Sequence, residues 1–239
     1  MNLVQKLPMG LSLACIVMMS GCSKENALTP EYKMGSLNEH SDSRKADVVI
    51  ALPQFPSTIG VTGLDIYPKG WTRALYLGTP PVAEFPTGVS NRTHAFGNFG
   101  VAYQWVKPLP EIPSAPDANS FITITTKSSE FDATKRADVT AEIKYLEVGQ
   151  QYSIDFYVSS TSVGGRKAGY ARKVIAQIGY PSTPKDIDLV GKKAEWVKES
   201  IVFTALAGKT TFYFSAASEH DHFAYAHIFV DKNSIKKVL

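Results

Sequence analysis

Residues 138–160, DVTAEIKYLEVGQQYSIDFYVSS, constrain the fold more than any other stretch of the chain. Val139, Ala141, Ile143 and Tyr145 alternate with Thr140, Glu142 and Lys144. After Gly149 the alternation resumes as Tyr152, Ile154, Phe156 and Val158 against Ser153, Asp155 and Tyr157. A side-chain period of two belongs to a strand with one apolar face. Gly149 beside Gln150 and Gln151 suits a turn, so the two runs are expected to form a pair of antiparallel strands, each with one buried face. A sheet with one apolar face must cover it, and further strands supply that cover, which predicts a two-sheet sandwich.

The alternation returns downstream. Ser120, Ile122 and Ile124 alternate with Phe121, Thr123 and Thr125, and Val174, Ala176, Ile178 and Tyr180 form another apolar series. Strands are also predicted at 196–205, 210–215 and 225–230. The first half differs, because ten of the fourteen prolines lie between Pro53 and Pro116. Each proline removes a ladder donor, so this half cannot be a run of central strands. A first strand is expected at 48–52, with short strands at 73–78 and 101–106. The loop between these last two, 79–100, is long enough to be functional or disordered. No window holds a helical period over three turns. The fold class predicted is all-β, an antiparallel sandwich.

The beginning of the chain concerns address. A short basic start with Lys6 precedes an apolar run at 11–19 that ends in small residues, the pattern of a secretory signal. That run is too short to span a bilayer as a helix, which needs roughly 20 apolar residues. Met19-Ser20-Gly21-Cys22 resembles a bacterial lipoprotein lipobox, which implies that residues 1–21 are removed and that Cys22 becomes the lipidated amino terminus. Ser23-Lys24-Glu25 resembles the export signal that sends Bacteroidetes lipoproteins to the outer face of the outer membrane. Together these imply a lipid-anchored protein facing the cell surface.

With Cys15 in the signal and Cys22 carrying lipid, the mature chain has no thiol for a disulfide. Its core must hold by packing alone, and residues 47–239 suffice for one sandwich of ordinary size. Of the methionines only Met34 lies outside the signal, which leaves Val, Ile, Phe and Tyr as the core chemistry. Residues 22–46 are polar and lack periodicity, so they read as the lipidated cysteine and a flexible tether, with ends roughly 25–30 Å apart. Basic and acidic side chains nearly balance, and Lys and Arg are scattered. Nucleic-acid binding, which needs a concentrated basic face, is disfavoured.

In the second half, Leu146-x-x-Gly149-x-x-Tyr152, Trp196, Phe203-Thr204-Ala205, Phe212-Tyr213-Phe214-Ser215 and Phe229-Val230-Asp231 resemble the galactose-binding-like jelly rolls common among carbohydrate-binding modules. The resemblance covers 119–238 and implies a jelly-roll sandwich that binds glycan. It places Trp196 in the core. It also puts Asp231 where the family often holds a structural calcium, the only cofactor suggested. The first-strand Asn and Glu usual in the family are absent, since Ala51-Leu52-Pro53-Gln54-Phe55-Pro56 stands there.

Sugar recognition needs flat apolar rings against the C–H faces of a pyranose, with polar groups for the hydroxyls. Trp71, Tyr76, Tyr103 and Trp105, with Arg73 and Asn98 near, lie in or beside the proline-rich loops and are the candidate ligand residues; closing the ends of the core is the competing role of Trp71 and Trp105. Glu219, His220, Asp221 and His222, with His227 close by, are the densest group of metal-ligand types, but no second separated set accompanies them, and solvated loop side chains are expected. No motif for a hydrolase triad, zinc protease or phosphate loop occurs, so catalysis is not expected. Two functions stay open at this point: glycan binding, accessory to polysaccharide capture, and a non-catalytic subunit packing on an outer-membrane protein or adhesin.

Overall fold

The computed structural model describes residues 51–74, 85–97, 103–127, 135–165, 168–219 and 222–238. The signal, Cys22 and the tether therefore lie outside the described residues, as does the start of the first expected strand. In chain order the strands are β1 (Gly63–Leu64), β2 (Trp71–Arg73), β3 (Gly88–Asn91), β4 (Ser120–Thr126), β5 (Val139–Lys144) and β6 (Gln151–Thr161). They continue as β7 (Ala171–Ile178), β8 (Lys185–Asp188), β9 (Val197–Thr204), β10 (Lys209–Ser218), β11 (Ala224–Phe229) and β12 (Ile235–Lys237). No helix occurs among the described residues.

Two antiparallel sheets face each other. The seven-stranded sheet runs β1-β3-β4-β11-β6-β12, with β9 on the other edge of β6. The five-stranded sheet runs β2-β5-β10-β7-β8. Between them lies one core, in which Phe212 and Phe214 of β10 meet Ile154 and Phe156 of β6, Ile122 and Ile124 of β4, and Ile143 of β5. Phe212 forms the centre of an aromatic group with Phe55, Trp71 and Phe156, at ring distances of 5.1, 6.0 and 5.8 Å. The protein is an all-β sandwich of jelly-roll type.

The two runs of the organising stretch become β5 and β6 with the expected buried faces, but they do not pair. β5 bonds β2 and β10 in one sheet, whereas β6 bonds β9, β11 and β12 in the other. The link at 145–150 crosses between layers, a gap of about 10 Å that six residues span easily. Tyr145 at φ 59° and Gly149 at φ 81° make its two reversals. The chain from β9 to β10 crosses beside it, and the two links bond each other: Leu146 N–H donates to the Gly208 carbonyl at 2.9 Å and Gly149 N–H to that of Ala205 at 2.8 Å. Leu146, buried beneath them, closes this end of the core.

The proline-rich half behaves differently from expectation. No strand forms at 51–53, where Leu52 is exposed and the first pairing is a single bridge from Gln54 to Lys144. Of the strand expected at 73–78, Arg73 is the last residue of β2, and 75–78 lie outside the described residues. At 103–106 there are only isolated bridges, from Gln104 to His94 and from Trp105 to Val163. Beyond β3, the described parts of 92–118 instead lie over the outer face of the seven-stranded sheet. Leu109, Ile112 and Ala118 pack on Phe121 and Phe229, and Ala95, Phe96 and Trp105 pack on Tyr225. Both β4 and β11 are consequently buried along their whole length. Their outward positions carry Phe121, Thr123, Tyr225, His227 and Phe229, side chains that a covered face accommodates.

Candidate functional site

The residues singled out for sugar binding do not converge. Trp71 is 5% exposed in the core between the sheets, its Nε1 donating to the Pro56 carbonyl at 2.9 Å. Trp105 is 2% exposed in the covering layer on the far side of the seven-stranded sheet, its Nε1 donating to the Asn91 carbonyl at 2.9 Å. Neither indole offers a face to a ligand, which corrects the expectation: each has its N–H satisfied by backbone and its rings packed on aromatic neighbours. Arg73 donates from Nη2 to the Phe85 carbonyl at 2.9 Å and approaches Asp65 at 3.7 Å, which ties two segments of chain together. Tyr103 stays partly exposed beside Trp105's layer. Tyr76 and Asn98 lie outside the described residues. Trp196, half-buried, packs edge-on against Phe121 at 5.2 Å and donates to the Pro110 carbonyl, so it holds the cover rather than the main core.

The metal expectations find no site either. Asp231 Oδ1 accepts from the Lys232 N–H at 2.7 Å, and its carbonyl accepts from Ser234 N–H at 3.1 Å, which makes it the anchor of the turn into β12. The nearby Asp155 faces two ammonium groups, Lys198 at 3.7 Å and Lys236 at 3.9 Å. Calcium takes six to eight oxygens. Among the described residues no three acidic, histidine or cysteine side chains gather to hold a metal, so the surroundings of Asp231 do not fit one. His220 and Asp221 are outside the described residues. His227 does not belong to a solvated histidine loop at all: it sits in β11, fully buried among Trp105, Phe121 and Trp196. Its two ring nitrogens bond Thr123 Oγ1 at 2.9 Å and Thr161 Oγ1 at 2.6 Å. Burial without a charged partner pushes its pKa down to about 3, so the ring is neutral.

A different place has the required chemistry. At the end of β7, Gly179 takes φ 65° and its N–H donates to the Thr211 carbonyl at 2.7 Å. A side chain there would meet Thr210 Oγ1 at 3.0 Å, so the position favours glycine on both counts. This turn reverses the face of the next residue. Tyr180, an apolar member of the β7 series by sequence, stands 90% exposed instead. The following turn is braced by Gln177 Nε2, which donates to the carbonyls of Gly179 and Ser182 at 3.2 and 3.0 Å.

Between this turn and the end of β9 runs an open groove of about 620 Å³. Tyr180 and Tyr213 line it, together with Val202, Phe203 and Leu206. Tyr213 is the outward residue of β10, 37% exposed, between inward Phe212 and Phe214. Hydroxyls come from Ser182, Thr183, Thr204, Thr210 and Thr211. Lys209 is the one charged side chain in the lining, and no carboxylate is present. Two accessible phenol rings and a set of short hydroxyl side chains can hold a flat, polar-edged molecule, but they supply no acid–base pair. The sequence signals were Gly179-Tyr180-Pro181 as a turn and Tyr213 as the off-phase residue of an apolar strand.

No protein-family model matches the chain, and none of the curated proteins does. Carbohydrate-binding modules stand among the solved structures similar to it. The N-terminal cellulose-binding domain of Cellulomonas fimi β-1,4-glucanase C is 13% identical with a TM-score of 0.37, over 77% of this chain and 98% of that one. TmCBM61, solved with β-1,4-galactotriose, is 12% identical with a TM-score of 0.33, over 64% and 87%. The enzymatically active domain of bacteriophage CBA120 tailspike protein 4 is 12% identical with a TM-score of 0.34 over 68% of this chain, which spans 20% of that structure's length.

Proposed function

We propose that the protein is a non-enzymatic glycan-binding module, held at the outer surface of a bacterial outer membrane by lipid on Cys22 and presented by the tether at 22–46. The observation that carries the binding half is the groove between Tyr180 and Tyr213, where exposed rings lie among threonine hydroxyls. Stacking of such rings on pyranose C–H faces and hydrogen bonds to the hydroxyls are complementary to a polysaccharide chain, and an open groove admits a long one. The lipobox and the Ser23-Lys24-Glu25 signal support the address, and a captured polysaccharide would be held close to the cell.

Affinity electrophoresis of the full chain in detergent, through gels containing neutral and acidic polysaccharides, tests the binding half. Retardation by at least one polymer, lost in Tyr180→Ala and Tyr213→Ala, is expected; a folded protein retarded by none defeats the reading. Metabolic labelling with a fatty acid, present in the wild type and absent from Cys22→Ser, tests the anchor, and protease accessibility of whole cells tests the outward face.

One observation favours a second reading, a subunit docking on an outer-membrane protein. Leu206 is 88% exposed at the groove's rim with Val202 beside it, an apolar edge that a protein partner could cover. Loss of an outer-membrane complex in Leu206→Ser, with glycan retardation unchanged, would select it.

A further inference from the structure

A second groove, of about 380 Å³, lies next to the first and has the opposite character. It is lined by Lys69, Lys144, Lys232 and Glu142, with Gln54 and Ser57 among its polar residues. Three separate backbone features set the lysines in place. Lys144 ends β5, where the chain exchanges two 3.0 Å bonds with Gln54. Lys69 sits in the turn closed by Trp71 N–H on the Pro68 carbonyl. There Gly70 at φ 94° lies so close to Pro56 that a side chain would meet it at 2.9 Å. Lys232 sits in the turn that Asp231 anchors.

Glu142 is the one carboxylate lining this groove, and it is already shared by Lys144 and Lys209, each at 3.0 Å. Lys69 and Lys232 have no carboxylate within ion-pair distance among the described residues, and both are exposed. With Glu142 shared by Lys144 and Lys209, the charges of Lys69 and Lys232 are left in local excess, which attracts anions.

The two grooves are neighbours across the β5–β10 ladder. Lys209 lines the tyrosine groove and its ammonium bonds Glu142, which lines the lysine groove. In the β5–β10 ladder Lys209 stands opposite Lys144 and Thr211 opposite Glu142, so the two grooves share these strand ends as a common ridge. A chain lying over Tyr180 and Tyr213 and passing Lys209 runs onto Lys144, Lys69 and Lys232.

We propose that the lysine groove takes the carboxylates of a uronic-acid-bearing polysaccharide whose neighbouring sugars occupy the tyrosine groove. The inference rests on the glycan reading above and adds to it the charge class of the ligand. The exposed side-chain amide of Gln54 offers hydrogen bonds to hydroxyls there, which a simple anion-exchange surface would not need. Lysine ammoniums act as point charges without the fixed fork of arginine, and so accept a carboxylate in several orientations along a chain.

The test is affinity electrophoresis of the full chain in detergent through polygalacturonate, alginate and hyaluronan, each beside its carboxyl-reduced, neutral form. At least one acidic polymer is expected to bind about fivefold or more tightly than its reduced form. That preference should vanish in about 1 M salt, where screening acts within about 3 Å. Lys69→Ala combined with Lys232→Ala, both on exposed side chains, should erase the preference while leaving binding to the reduced polymer intact. Equal binding of acidic and reduced forms overturns the proposal but keeps the glycan reading. So does a double variant that still prefers acid. Binding to phosphatidylglycerol vesicles with none to acidic polymers assigns the lysines to a membrane surface and also overturns it. Absence of binding to every polymer, acidic or neutral, defeats the glycan reading itself.

Discussion

On the outer face of the seven-stranded sheet, Phe121, Tyr225, His227 and Phe229 meet a layer of proline-rich chain; on the outer face of the five-stranded sheet, Thr140, Thr211 and Tyr213 keep access to solvent. Both faces belong to antiparallel sheets packed on the same core. The covered face has aromatic rings at its outward positions and is sealed through backbone groups: Val106 N–H bonds the Ser162 carbonyl at 2.8 Å, and Lys107 Nζ reaches that of Lys193 at 3.0 Å. The open face has Thr140, Glu142 and Lys144 of β5 and Thr211 and Tyr213 of β10 outward. The comparison teaches that aromatic residues in this chain divide by task according to what lies opposite them. Rings facing the cover are scaffold, whereas the tyrosines beside the open face are free to recognise a ligand.

The comparison breaks first where the cover is tightest. Phe121 is fully buried and touches both Trp196 and His227. Phe121→Ala should lower unfolding free energy by about 3–5 kcal/mol through lost burial and the cavity left behind. Urea denaturation measures it, and a loss below about 1 kcal/mol would mean that the cover is not packed as described.

His227 gives the next largest effect. Its folded pKa of about 3 lies below the ordinary value of 6.5, because the ring is buried among Trp105, Phe121, Trp196 and the hydroxyls of Thr123 and Thr161 with no carboxylate facing it. The unfolded chain therefore takes up a proton that the folded chain refuses. The resulting stability is whole above pH 6.5, declines as pH falls, and is fully spent near pH 3. At about pH 4.5 the loss should be roughly 3 kcal/mol, and His227→Gln should flatten that part of the stability profile. An identical acid decline in the variant would place the titrating group elsewhere.

Much of the sandwich was legible in the sequence because period-two alternation is a local property. Val139, Ala141 and Ile143 are buried in β5 as the pattern requires, and so are Tyr152, Ile154, Phe156 and Val158 in β6. Pairing is not local. Nothing in the stretch itself says that β5 joins β10 while β6 joins β9, since paired residues lie about 40–75 positions apart in the chain. The cover was illegible for a related reason: proline-rich chain has no period, so its apolar residues Leu109 and Ile112 carry no sign of which face they bury. The burial of the two tryptophans was illegible because tryptophan suits both core and ligand. Trp71 and Trp105 went inward, whereas Tyr103, Tyr145, Tyr180 and Tyr213 keep exposed rings. One glycine, Gly179, turned Tyr180 out of the face that its spacing assigned to it.

The open face gives smaller effects on stability and larger ones on recognition. Tyr213 lies mid-strand with 37% exposure, so Tyr213→Ala should cost about 1 kcal/mol or less, the range of strand preference at a half-covered position, while retardation by polysaccharide drops severalfold. Tyr213→Phe should restore binding in so far as the ring face, not the phenol hydroxyl, makes the contact.

Tyr180→Ala sharpens the comparison furthest, because 90% exposure leaves almost no packing to lose. Its stability should stay within about 0.5 kcal/mol of wild type, as for surface substitutions generally. The brace of its turn is made by Gln177, not by the tyrosine ring, so the groove should keep its shape. Any fall in polysaccharide retardation then reports a lost contact rather than a lost fold. Unchanged retardation would remove Tyr180 from the binding surface, leave Tyr213 as the only tyrosine face in the groove, and shift the exposed edge of Tyr180 and Leu206 toward a protein partner.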